Sequence, residues 1–131
     1  MKKFVVCVFI ALSIVILAAV LAILSNPLRR SEGRIKASML KLTPVGTSME
    51  EVVSSIKNNK KLKIRVVYQN GVYAMDGEYP RAGDLHIFNE SLQLYLGSYR
   101  TIFETGVTIL YSFDGNSNLT GISVRKDRDS L

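Results

Sequence analysis

At 131 residues, 47% hydrophobic and with a formal net charge of +6, the chain has the bulk of one small globular domain, but its apolar residues are unevenly spread. A single cysteine excludes an intramolecular disulfide, so the folded part must be held by core burial. With one histidine and no cysteine outside the apolar run, a metal site would have to draw on carboxylates such as Asp84 and Glu90, and neither a metal nor a cofactor is expected.

Phe4 to Leu24 carries no charge, and its 21 residues span about 31 Å as a helix, close to the ~30 Å of bilayer hydrocarbon. Residues 1–25 therefore read as a transmembrane anchor or a signal segment. The run exceeds the ~7–15 apolar residues of a cleaved signal, Val20-Leu21-Ala22 is a poor cleavage site, and Cys7 lies inside the run and not at its end. An uncleaved anchor is the expectation; cleavage would leave a secreted protein. The "MKKF" start is that of an exported chain, which places the domain outside a cell membrane crossed once. Arg29, Arg30, Arg34, Lys36 and Lys41, just past the span, pull the other way under the positive-inside rule. Of these, Arg29, Arg30, Arg34 and Lys36 are the candidate membrane-surface residues, since lysine and arginine there favour anionic head groups.

Residues 26–33, with Pro27 and Gly33, read as a tether, and 34–126 as a small α+β domain. Ile35, Met39 and Leu42 recur at helical spacing and predict a helix over 34–42. In "TPVGTSMEEVVSSI", Thr47 and Glu50 make a capping-box pattern, and Met49, Val52, Val53 and Ile56 form one apolar stripe. Glu50 and Glu51 already offer negative charge to that helix start, so it reads as closing a core and not as holding an anion.

Past residue 60 the period falls to two. "KLKIRVVYQNGVYAM" contains Asn70-Gly71, a strong hairpin signal, and 76–84 reads as a loop. "LHIF" and "SLQLYLG" read as strands, "YRTIFETG" as an irregular connection, and "VTILYSF" and "LTGISVRK" as strands flanking the turn "DGNSN". Residues 127–131 read as a solvated tail. The expected fold is a transmembrane helix, then two short helices packed on one face of an antiparallel meander of about four to five strands.

Alternation also sorts the strands' faces. Leu62, Ile64, Val66, Leu92, Leu94, Leu96, Val107, Ile109, Tyr111, Phe113, Ile122 and Val124 form the helix-covered face. Lys63, Arg65, Val67, Gln93, Tyr95, Thr108, Leu110, Ser112, Ser123 and Arg125 form the other. Tyrosine and arginine amid small neutral residues suit protein binding, and Lys63, Arg65, Gln93, Tyr95, Leu110 and Arg125 are the candidate contacts. His86 reads as a surface histidine beside a loop. No serine sits in a nucleophile elbow, no catalytic residue is expected, and the basic clusters at 29–41 and 57–65 lack a nucleic-acid motif.

A membrane-targeting segment, two short helices with "GTSMEEV" opening the second, a meander and a final "YSFDGNSNLTGISV" hairpin resemble the BamE-like (SmpA/OmlA) domain, a unit shared with the β-lactamase-inhibitor-protein fold. "LTPVGTSMEEV", "YLGSYR" and "VRKDRDSL" are similar to a group of small membrane-anchored bacterial proteins. The chain departs from the lipoproteins of that family in having no cysteine after the apolar run. The resemblance implies a non-enzymatic binding module at the bacterial envelope: an inhibitor, an immunity factor or an assembly partner. The alternative is a structural envelope component that binds anionic lipid or cell wall through its two basic segments.

Overall fold

A computed structural model describes residues 1–69 and 80–128. The uncharged run forms a helix, α1 (Lys2–Leu24), of which Lys3–Leu24 is long and apolar enough to cross a membrane or serve as a signal anchor. None of that segment is buried against the rest of the protein. Next comes a single 3-10 turn, Pro27–Arg29, capped by Asn26, whose Oδ1 accepts from the Leu28 N–H at 3.0 Å. Ser31 then caps α2 (Glu32–Leu42), which starts two residues before the expected position.

The third helix, α3 (Met49–Asn58), has a capping box made by Ser48 and Glu51, one residue later than Thr47 and Glu50. Backbone pairing decides the shift. Thr47 O accepts from Leu119 N–H at 2.8 Å and Met49 N–H donates to Ser117 O at 2.8 Å, so Thr47 and Ser48 are held extended against the final hairpin. The chain turns helical only at Met49, and Thr47 Oγ1 donates back to Pro44 O.

Five strands follow in spatial order: β1 (Val66–Gln69), β2 (Asp84–Ile87), β3 (Ser91–Arg100), β4 (Glu104–Phe113) and β5 (Leu119–Arg128). From β2 to β5 the sheet is the antiparallel meander expected, but β1 runs parallel to β2. The Asn70-Gly71 turn lies outside the described residues. The register on β2 reverses the parity assigned to β1: Val67 stands opposite Leu85 and packs on the core, while Val66 and Tyr68 align with Asp84 and His86 on the other side. The "YRTIFETG" stretch is less irregular than its composition implied, because β3 runs through Arg100 and β4 resumes at Glu104 after a three-residue turn. At the other end β5 continues through Arg128, into the segment read as a tail.

One core lies between α2, α3 and the sheet. Ile35 and Met39 come from α2, Val52 and Ile56 from α3, and Leu85, Leu92, Leu94, Val107, Ile109, Tyr111 and Ile122 from the strands. Tyr111 is fully enclosed, burial pushes its phenol pKa up, and its hydroxyl has no hydrogen bond of good geometry, although Thr43 lies near.

Candidate functional site: the uncovered sheet face

Register builds two rows on the face away from the helices. Tyr95, Thr108 and Arg125 pair across β3, β4 and β5, with Asp84 and Val66 continuing that row. Tyr68, His86, Gln93, Leu110 and Ser123 form the second. A β-bulge between Tyr95 and Gly97 bends β3, which increases local twist and curves this end of the face. The result is a concave groove of about 1010 Å³, with Gln93, Tyr95, Ser98, Thr108, Arg125 and Asp127 among its lining. Gly106 sits beneath Tyr95: a Cβ there would lie 3.1 Å from Tyr95 Oη and 3.2 Å from Cε2, so glycine leaves room for the ring against the sheet.

Of the six contacts expected from alternation, Gln93, Tyr95 and Arg125 line the groove. Leu110 stands beside Gln93 in register, half-buried and outside the groove lining. Lys63 precedes β1 with a φ of +44°, outside the groove. Arg65 is committed to Asp84, donating from Nε to Oδ1 at 2.8 Å and from Nη2 to Oδ2 at 3.2 Å.

Asp84 and its neighbours were not singled out by sequence pattern as binding residues, and they form the polar edge of the face. Burial alone would raise the Asp84 pKa. Hydrogen bonds from the Arg65 side chain and the Arg81 backbone, with the charges of Arg65 and His86, outweigh that and hold it below its ordinary 3.8. His86 is no surface residue: it is 8% exposed on β2, stacked on Tyr68 at 4.6 Å between ring centroids and 6.5 Å from Phe88. Burial lowers its pKa below 6.5, with Asp84 opposing. A four-residue strand after a loop carries too little alternation to reveal this cluster. Among the described residues, no three His, Cys, Asp or Glu side chains gather as a metal site.

The candidate membrane-surface residues divide. Arg29 Nη2 donates to Arg100 O at 2.7 Å, and its guanidinium lies 5.3 Å from the Tyr99 ring. Lys126 Nζ lies 5.2 Å from the same ring and donates to Leu28 O at 3.0 Å and Arg30 O at 2.7 Å. The segment read as a tether is therefore clamped to the sheet, and Arg29 belongs to that clamp. Arg30, Arg34 and Lys36 are exposed. No protein-family model, curated protein or solved structure matches this chain.

Proposed function

We propose that this is a membrane-anchored, non-enzymatic module whose domain lies outside the cytoplasm and binds another protein of the bacterial envelope, as an inhibitor, immunity factor or assembly partner. The observation that carries the reading is the concave groove on the sheet face opposite α2 and α3, with a tyrosine on its floor and an arginine at its side. A concave, mixed aromatic and charged surface suits a protruding loop of a partner, because a tyrosine can be desolvated at low entropic cost while the rim stays hydrated. The BamE-like resemblance supports the same class of function by analogy only.

A photo-crosslinking residue at Gln93 in the full-length protein is expected to trap one discrete protein in cells, whereas the same group at exposed Ser54 on α3 traps none. Tyr95→Ala in that background is expected to cut the yield about tenfold or more, the scale of an anchoring aromatic, with little change in thermal stability. Equal trapping at both positions, or parallel loss of trapping and stability, would remove the assignment to this face. Protease digestion of the domain in intact cells tests its location; protection until lysis would place it in the cytoplasm.

A further inference from the structure

A second groove lies beside the exit from α1. It has a volume of about 680 Å³, within the ~300–1,000 Å³ of small-molecule sites, and an apolar floor that includes Ile35, Met39, Leu42 and Leu62. Three cations stand around it: Arg30 before α2, Lys41 at the end of α2, and Lys61 beyond α3. Among the described residues, no carboxylate lines it. The two basic clusters that are separate in sequence thus meet over one apolar cleft. Two asparagines add donors. Asn26 and Asn59 each have Oδ1 occupied, by the Leu28 N–H and the Lys61 N–H, which leaves their side-chain NH₂ groups to donate.

From these residues we infer that the groove binds one anionic phospholipid, with an acyl chain along the apolar floor and the phosphate among Arg30, Lys41 and Lys61. Location selects this occupant. Asn26 and Pro27 form a lip of the groove and lie two and three residues past Leu24, so at ~3.3–3.6 Å per residue the lip is within about 7–11 Å of the helix end, however α1 is oriented. With α1 in a bilayer, that distance is comparable to the ~5–8 Å depth of one head-group layer. The clamp made by Arg29, Tyr99 and Lys126 holds this segment against the sheet and keeps the lip in place. The inference needs α1 to be membrane-embedded, but it is independent of any partner at the sheet face.

The test is native mass spectrometry of the full-length protein released from detergent micelles doped with dioleoyl phosphatidylglycerol or dioleoyl phosphatidylcholine. One phosphatidylglycerol is expected to be retained in preference. At about fivefold per cation, R30Q/K41Q/K61Q is expected to weaken retention about a hundredfold. Ser38→Trp, which places a large ring in the groove from an exposed helix position, is expected to exclude the lipid without lowering the thermal midpoint. Equal retention of both lipids, or of phosphatidylglycerol by both variants, would assign the lipid to the surface of α1 and overturn the site. So would retention of glycerol phosphate as strong as that of the lipid, which would mean a free-phosphate site, or a dimer that Ser38→Trp abolishes, which would mean a second copy in the groove.

Discussion

Arg65–Asp84 and Arg125–Asp127 are the same chemical pair, each with an arginine Nε donating to an aspartate Oδ1, at 2.8 Å and 2.7 Å. Asp84 and Arg125 even share a row of the uncovered face. Their surroundings differ. Asp84's side chain is 6% exposed, accepts twice from Arg65 and takes the Arg81 N–H as well, whereas Arg125 and Asp127 are 68% and 57% exposed. Coulomb attraction between exposed charges is screened by water and contributes about 0–1 kcal/mol, but a buried carboxylate deprived of its donors is costly. One pair therefore holds β1 to the sheet, and the other leaves its arginine available to a partner.

The sharpest way to break that contrast is through Gly83, which brings the segment before β1 onto β2. Arg65 N–H donates to Gly83 O, and Gly83 N–H donates to Tyr95 O, both at 2.9 Å. Gly83 has φ +91°, and a Cβ would lie 2.5 Å from Lys63 O and 2.8 Å from Arg65 N. Gly83→Ala is expected to cost about 3 kcal/mol, combining backbone strain with displacement of β1. Gly46 has the same φ with nothing within 4 Å, so Gly46→Ala should cost only about 1 kcal/mol. Thermal melts of full-length protein in micelles, followed by tyrosine near-ultraviolet circular dichroism, give both values. Similar losses would mean that φ alone matters at Gly83.

Asp84→Asn tests the pair directly. It removes the charge and leaves Arg65 with a weaker acceptor, and because Arg65 is 39% exposed the loss should fall below that of a fully buried pair, at about 2 kcal/mol. Asp127→Asn in the same assay should change stability by less than about 0.5 kcal/mol.

How much of this was legible in sequence depended on strand length. β3, β4 and β5 are ten residues each, and their alternation placed Gln93, Tyr95 and Arg125 on the open face without ambiguity. β1 and β2 have four residues each, and the register of β1 on β2, which sets Val67 opposite Leu85, decides which of Val66 and Val67 faces the core. Local pattern carries no information on that register, so Asp84, His86 and Tyr68 stayed hidden. The α3 stripe was readable because 3.6-residue periodicity is local, while its first residue was not, because a bridge to Asn118, seventy positions away from Ser48, decides it.

Acid acts on the cluster around Asp84 in two steps. His86 has a folded pKa below its unfolded value of 6.5, so the unfolded chain binds the extra proton first and stability falls as the pH drops from 6.5 through the folded value. Asp84 is also depressed, so its contribution is complete above about pH 4 and is lost only at lower pH, as the carboxyl titrates through its folded pKa. Melting temperature is expected to decline from pH 7 toward pH 5 in the native sequence. His86→Phe, which keeps a ring to stack on Tyr68, should flatten that decline and leave the fall below pH 4 intact. A decline unchanged by His86→Phe would mean that another group titrates there.

A similarly small effect on stability is expected at Arg125, and it is there that the comparison bears on function. Arg125→Ala removes an exposed pair and should move the melting temperature by only a few degrees, since about 0.5 kcal/mol corresponds to roughly 2–4 °C for a domain of this size. Yet Arg125 lines the same groove as Tyr95, and a guanidinium that holds Asp127 only weakly can exchange it for a partner's carboxylate at little cost. Its loss should therefore lower crosslinking from Gln93 several-fold, with the deficit shrinking as salt is raised, because screening already weakens that contact in the native protein. A deficit indifferent to salt would assign Arg125 a packing role at the rim. No deficit would confine the partner's footprint to Tyr95 and the bulged end of β3.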